Sequence, residues 1–201
     1  PLSFKRSIYD ETFNSAYIPI FNKLDASENA RLKYDFARKI LLIFFLLFLA
    51  IVIVAELFMP SVIKIFARGL NDIQEFDLLV KTSRILFPYL LFIALSAVLI
   101  GTLNANNRFI LSAILPAILH TSIIIAISIS LLFDASKLSL LSTAVLIGGL
   151  LQTLLLFFSV EKLFWVNLFK FKENYTHVRN FFRLVWPSFI SSFLLQFNII
   201  I

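Results

Sequence analysis

ILLIFFLLFLAIVIVAELF, residues 40–58, carries one ionisable side chain, Glu56, close to its end. A hydrocarbon core about 30 Å thick needs roughly 20 apolar helical residues to cross it, and this run supplies them. Four more runs of the same kind follow. Ile85–Leu103 and Leu138–Val160 are uncharged, Phe109–Phe133 carries only His120, and Leu184–Ile201 reaches the last residue. All are continuously apolar instead of alternating, which argues against a closed β-barrel and for helices. The expectation is an all-α polytopic membrane helix bundle.

Composition agrees. Of 201 residues, 60% are hydrophobic and the mean hydropathy is +0.92. Ordinary globular chains are only about 45–50% apolar. The 24 phenylalanines read as lipid-facing bulk. With no cysteine there is no disulfide or thiolate chemistry. The net charge of +6 comes from residues that flank apolar runs and form no continuous patch, so nucleic-acid binding is not expected.

Charge in the connections sets orientation. Lys23, Arg31, Lys33, Arg38 and Lys39 precede the first span, Arg108 lies in the third connection, and Lys162, Lys170, Lys172, Arg179 and Arg183 lie in the fifth. Together they number eleven, against five for Lys64, Arg68, Lys81, Arg84 and Lys137 in the second and fourth. The first, third and fifth connections are therefore expected in the cytoplasm. Pro60–Val80 should form a short surface helix, and Lys170–Asn180 a polar bridge into the last span.

Polar residues near the spans are few. Pro88, Pro116 and Pro187 each fall inside a span and predict kinks. Gly148 and Gly149 predict close helix contact. Gln152, Gln196 and Asn198 are expected to hydrogen-bond between helices, and His120 to be a hydrogen-bonded bundle residue. No phosphate-cradling glycine loop, nucleophile elbow or acid–base constellation with histidine is present, so the chain is expected not to be an enzyme and to need no cofactor or metal. Asp10 and Glu11, as neighbours on a helix, point about 100° apart and do not share one substrate easily.

The opening stretch KRSIYDETFNSAYIPIF, residues 5–21, puts Tyr9, Phe13, Ala16, Tyr17 and Ile20 on one helical face. Residues 1–24 therefore read as the end of an earlier helix plus an amphipathic segment interrupted at Pro19. Lys5 and Arg6 either reach for lipid headgroups or line a polar cavity and hold an anion. The chain opens on Pro1 and stops inside an apolar run, as expected of a piece of something longer.

The stretches at 5–21, RILFPYLLFIALSAVLIGTLNANNRF at 84–109, LPAILH at 115–120, VLIGGLLQ at 145–152 and WPSFISSFLLQFN at 186–198 occur in an order that resembles the MurJ/MviN lipid II flippase family of the MOP exporter superfamily. The resemblance covers all 201 residues. It implies two pseudo-symmetric lobes of six helices plus two more, with this chain running from the end of the second helix into the seventh and supplying most of the first lobe. It further implies a bacterial inner-membrane protein that moves lipid II by alternating access, or a related exporter of another polyprenyl-linked glycan or of drugs. Its partners would be lipid II and the surrounding membrane lipids. Arg6 matches the second of two consecutive arginines in the family pattern, and Lys5 stands where the first would be. Both would bind the diphosphate. Asp10 matches a family glutamate that helps close the cytoplasmic side, which implies a gate role.

Overall fold

The computed structural model describes residues 2–25, 30–66, 72–132, 137–160, 164 and 175–187, and at 2–12, 30–31, 66, 132 and 137 the backbone alone. Among the described residues there is no strand. Seven helices follow one another: α1 Leu2–Asp25, α2 Ala30–Leu57, α3 Met59–Phe66, α4 Ile73–Leu86, α5 Tyr89–Ala105, α6 Phe109–Leu132 and α7 Lys137–Ser159. Residues 176–187 are helical as well.

Four stretches are long and apolar enough to cross a membrane: Leu32–Leu57, Ile73–Ala105, Phe109–Leu131 and Leu138–Ser159. Their side chains explain why water is the wrong solvent. Leu46, Ile53, Val54 and Leu57 on α2, Ile124 and Leu131 on α6, and Phe158 on α7 are all exposed. An apolar surface of that extent is stable against lipid. The fifth expected span, Leu184–Ile201, lies beyond residue 187 for most of its length, outside the described residues, as do Gln196 and Asn198.

Several elements differ from the sequence reading. Pro19 does not interrupt α1, which is continuous through it. It sits on the exposed side, whereas Ala16, Tyr17, Phe21 and Leu24 form the buried stripe. A carbonyl that loses its helical donor costs least where it faces outward. The basic stretch before the first span is not a loop. α2 begins at Ala30 and has 28 residues, about 42 Å at 1.5 Å each, so its first turns extend beyond a hydrocarbon core. Pro60–Val80 holds two helices, α3 and the start of α4. Asp72 caps α4, its carboxylate accepting from the Gln74 N–H at 2.8 Å, and Glu75 follows in the first turn, where the helix dipole favours negative charge. Met59, Ile63 and Val80, with Phe76, Leu79 and Phe87, bury the α3–α4 contact.

The prolines behave unequally. Pro88 separates α4 from α5, because its missing N–H falls where the helical ladder turns over at Phe87. Pro116 lies within an unbroken α6. At the other end of α5 the chain closes with a Schellman motif: Arg108 N–H donates to the Leu103 carbonyl at 2.9 Å and Asn107 N–H to Asn104 at 3.0 Å. Asn107 has φ 59°, the left-handed conformation that asparagine tolerates better than most residues.

By backbone contacts the chain divides into two units, 1–42 with 97–109 and 160–201, and 43–96 with 110–159. In the second unit the expected close helix contacts are present. A Cβ on Gly149 would stand 2.4 Å from the Tyr89 ring, and one on Gly148 3.0 Å from Leu119. Gln152 donates its amide N–H to the Leu115 carbonyl, tying α7 to α6 as expected. Ser96 and Thr153 hydrogen-bond at 3.0 Å between α5 and α7. His120 differs: its ring nitrogen meets the Pro116 carbonyl of its own helix, and the side chain is exposed.

Candidate functional site

The first unit gathers the three connections that the charge count assigns to one side of the membrane: the stretch before the first span, the turn after α5 and the region after α7. Its centre is aromatic. Tyr17 is 0% exposed and lies among Phe13 at 5.1 Å, Phe36 at 5.3 Å, Phe21 at 5.9 Å and Phe181 at 6.1 Å, measured between ring centroids. Each such pair adds about 0.5–1.5 kcal/mol beyond area burial. So Phe21, Phe36, Phe164 and Phe181 are buried, which corrects the reading of phenylalanine as lipid-facing bulk alone.

The phenol of Tyr17 lies 2.7 Å from the Thr102 hydroxyl, and Thr102 donates its own proton to the Val98 carbonyl at 2.9 Å. Tyr17 is therefore the donor. Gly101 makes this approach possible, since a Cβ there would meet both Phe13 and Tyr17 at 3.0 Å. Replacing Tyr17 by Phe keeps the ring and deletes one buried hydrogen bond. The expected loss is about 1 kcal/mol, read as a lower unfolding midpoint of the full-length protein in detergent.

Cations form a second layer. Lys33, 7% exposed, directs its ammonium to Asp25 at 2.8 Å and to the Asn106 carboxamide oxygen at 3.2 Å. The same ammonium lies 5.0 Å from the Tyr34 ring centroid and 5.4 Å from that of Phe21. Arg38 is buried and pairs with Asp35 one turn earlier. Lys39 lies over Tyr175 at 4.6 Å. These three cations are engaged within the protein, so they serve packing. A count of loop charges misses this, and the signal that would have found it is the acid spacing: Asp35 stands three residues before Arg38, one helical turn.

Lys5, Arg6 and Asp10 all lie on the first part of α1, where only the backbone is described. Helical register puts positions 6, 10 and 14 on one side of α1. Position 14 is the informative member. The Asn14 side-chain oxygen is buried with no hydrogen-bond partner among the described residues, and it stands 3.2 Å from where a Gly101 Cβ would be. Asn14 thus puts a polar group at the point where α1 meets α5, on the helical register of positions 6 and 10. The sequence pattern puts Asn14, with Asp10, away from the apolar face of residues 5–21; the structure buries its side-chain oxygen where α1 meets α5. Among the described residues no cluster of His, Cys, Asp or Glu has the geometry of a metal site.

Comparison with known proteins matches the family model "Lipid II flippase MurJ" to residues 1–201, the whole chain. The chain belongs to the MurJ family. Relatives carry the same name. A probable lipid II flippase MurJ of Rickettsia prowazekii (strain Madrid E) is 32% identical over 203 residues, and one of Rhizobium tropici is 29% identical over 206. Each alignment takes in 100% of this chain and 39% of the relative. The lipid II flippase MurJ of Thermosipho africanus (strain TCF52B) is 30% identical over 175 residues, 86% of this chain and 33% of its own. The chain therefore spans about two-fifths of the length of the curated relatives it matches. Family membership and the four apolar spans together make it part of a multi-pass protein of the bacterial inner membrane.

Proposed function

We propose that the full-length protein translocates lipid II across the inner membrane by alternating access, as a transporter and not an enzyme. The observation that carries this is the match of the MurJ family model to every residue of the chain. In this reading Lys5 and Arg6 hold the diphosphate, and Asp10 belongs to the cytoplasmic gate.

The physical problem is charge. A bare diphosphate in hydrocarbon costs on the order of tens of kcal/mol. Fixed cations beside enclosed water lower that barrier, and exposing the cavity first to one face and then to the other moves the headgroup. With the inside negative, outward movement of an anion is favoured by about 2.3 kcal/mol per charge per 100 mV. The polar register on α1, ending at the unpartnered Asn14 oxygen, supports a hydrated path along that helix. The buried Tyr17–Thr102 contact supports α1 and α5 moving as one piece.

The test is reconstitution. Full-length protein in liposomes containing fluorescent lipid II should expose inner-leaflet lipid II to an external quencher much faster than empty liposomes do, and an imposed potential should change the rate. A rate no faster than that of empty liposomes would refute the reading.

A further inference from the structure

The first unit also contains a cleft of about 420 Å³ between the end of α1 and the helical stretch 176–187. Its polar lining is Lys23, His177, Asn180 and Arg183. Ile20, Leu24 and Leu184 supply the apolar part. No carboxylate is among them. The nearest acid along α1, Asp25, is already bonded to Lys33 at 2.8 Å. Among the described residues neither Lys23 nor Arg183 has an ion-pair partner. The buried cations Lys33, Arg38 and Lys39 of α2 each face an acid or an aromatic ring of the protein, so the cleft's cations stand apart from them.

Depth in the membrane narrows the occupant. Arg183 immediately precedes the apolar run that starts at Leu184, and Lys23 lies in the last turn of α1. Trp186, 67% exposed, lies in the first turn of that apolar run. An exposed Trp at the end of an apolar segment marks the headgroup level. The excess of Lys and Arg places this side of the protein against the cytoplasmic leaflet, where anionic lipids are held by juxtamembrane cations.

We propose that this cleft binds the phosphate headgroup of an anionic phospholipid of the inner leaflet. The Arg183 guanidinium offers a two-pronged donor to phosphate oxygens and Lys23 a point charge. His177 and Asn180 add N–H donors, and the acyl chains lie along Ile20, Leu24 and Leu184. The site is independent of Lys5 and Arg6 and of the transport reading. It fastens α1 to the region after α7 through a lipid.

The experiment uses the full-length protein in phosphatidylcholine nanodiscs that contain a minor fraction of phosphatidylglycerol with a photoactivatable diazirine beside its headgroup. Mass spectrometry should map adducts to peptides holding residues 20–24 and 177–184. Lys23→Gln/Arg183→Gln should lower these adducts about thirty-fold with an unchanged unfolding midpoint, while Lys64→Gln leaves them as they are. If the double variant does not fold, Arg183→Lys takes its place. It keeps the charge, loses the fork, and should lower the adducts several-fold. Equal labelling of wild type and folded variants, or equal labelling by diazirine phosphatidylcholine, overturns the proposal. Suppression by excess inorganic phosphate would assign the cleft to a free anion, and suppression by equimolar undecaprenyl diphosphate would assign it to the polyprenyl lipid. Either result overturns it too.

Discussion

Replacing Lys5 and Arg6 together by glutamine in the full-length protein is expected to abolish lipid II translocation, with a fall of about a hundred-fold or more, at unchanged membrane level. A hydrogen bond to a charged group contributes about 1.5–3 kcal/mol, and two such donors are removed from one diphosphate. If Lys5 and Arg6 line the path as proposed, their charges also lower the barrier to moving an anion through the bundle, so the rate should fall and not only the affinity. Lys5→Arg should act in the opposite direction. It keeps the charge and adds the planar fork that matches phosphate oxygens, so lipid II binding should tighten. Translocation and binding are measured in the same proteoliposomes, and a double variant that flips lipid II at the wild-type rate would remove these residues from the substrate path.

The second large effect concerns stability. Gly149→Leu places a side chain where a bare Cβ would already stand 2.4 Å from the Tyr89 ring. Tyr89 opens α5 and Gly149 lies in the middle of α7, so either the Tyr89 ring leaves the contact or the two helices part. Overpacking of this sort costs about 1–3 kcal/mol, and the loss of the neighbouring Ser96–Thr153 bond would add to it. The unfolding midpoint of the full-length protein in detergent should fall clearly below that of Gly148→Ala, whose added Cβ meets the Leu119 and Ser122 side chains at 3.0–3.2 Å. A double change, Gly149→Ala with Tyr89→Ala, should recover part of the loss.

The spans were legible because an uninterrupted apolar run has one stable arrangement in lipid. The expected 109–133 and 138–160 match α6 and α7 to within a residue. Where polar residues adjoin a run, the boundary drifted. α2 continues ten residues upstream of Ile40, because Lys33, Arg38 and Lys39 find partners that a charge count cannot show. The span expected from 85 begins in the last turn of α4 and continues as α5 from Tyr89, within the longer apolar stretch Ile73–Ala105, because Pro88 removes a donor at the junction. Pro19, in turn, interrupts nothing, since periodicity alone did not show that it falls on the exposed side.

The candidate site was legible differently. Lys5, Arg6 and Asp10 came from the order of motifs, and composition left Lys5 and Arg6 open between headgroup and cavity. Periodicity puts Tyr17 on an apolar face and the charge count makes Lys33 a loop charge, but neither foresees the Tyr17–Thr102 and Lys33–Asn106 pairings, because the partners lie 85 and 73 residues apart. No local spacing encodes such pairings. Asn14 is intermediate: its register with Arg6 and Asp10 can be read from the sequence, but its buried, unpartnered oxygen cannot.

The central claim is that the start of α1 faces enclosed water on the path of the lipid headgroup. These 201 residues contain no cysteine, so once any cysteine elsewhere in the full-length protein is replaced by serine, a single Lys5→Cys or Arg6→Cys reports from one known place. The deciding measurement is the rate at which a membrane-impermeant maleimide modifies that position in the full-length protein, with and without lipid II. Modification that slows as lipid II is added would agree with the account. A cysteine that stays unmodified from both sides of the membrane, or reacts at the same rate whether or not lipid II is present, would contradict it.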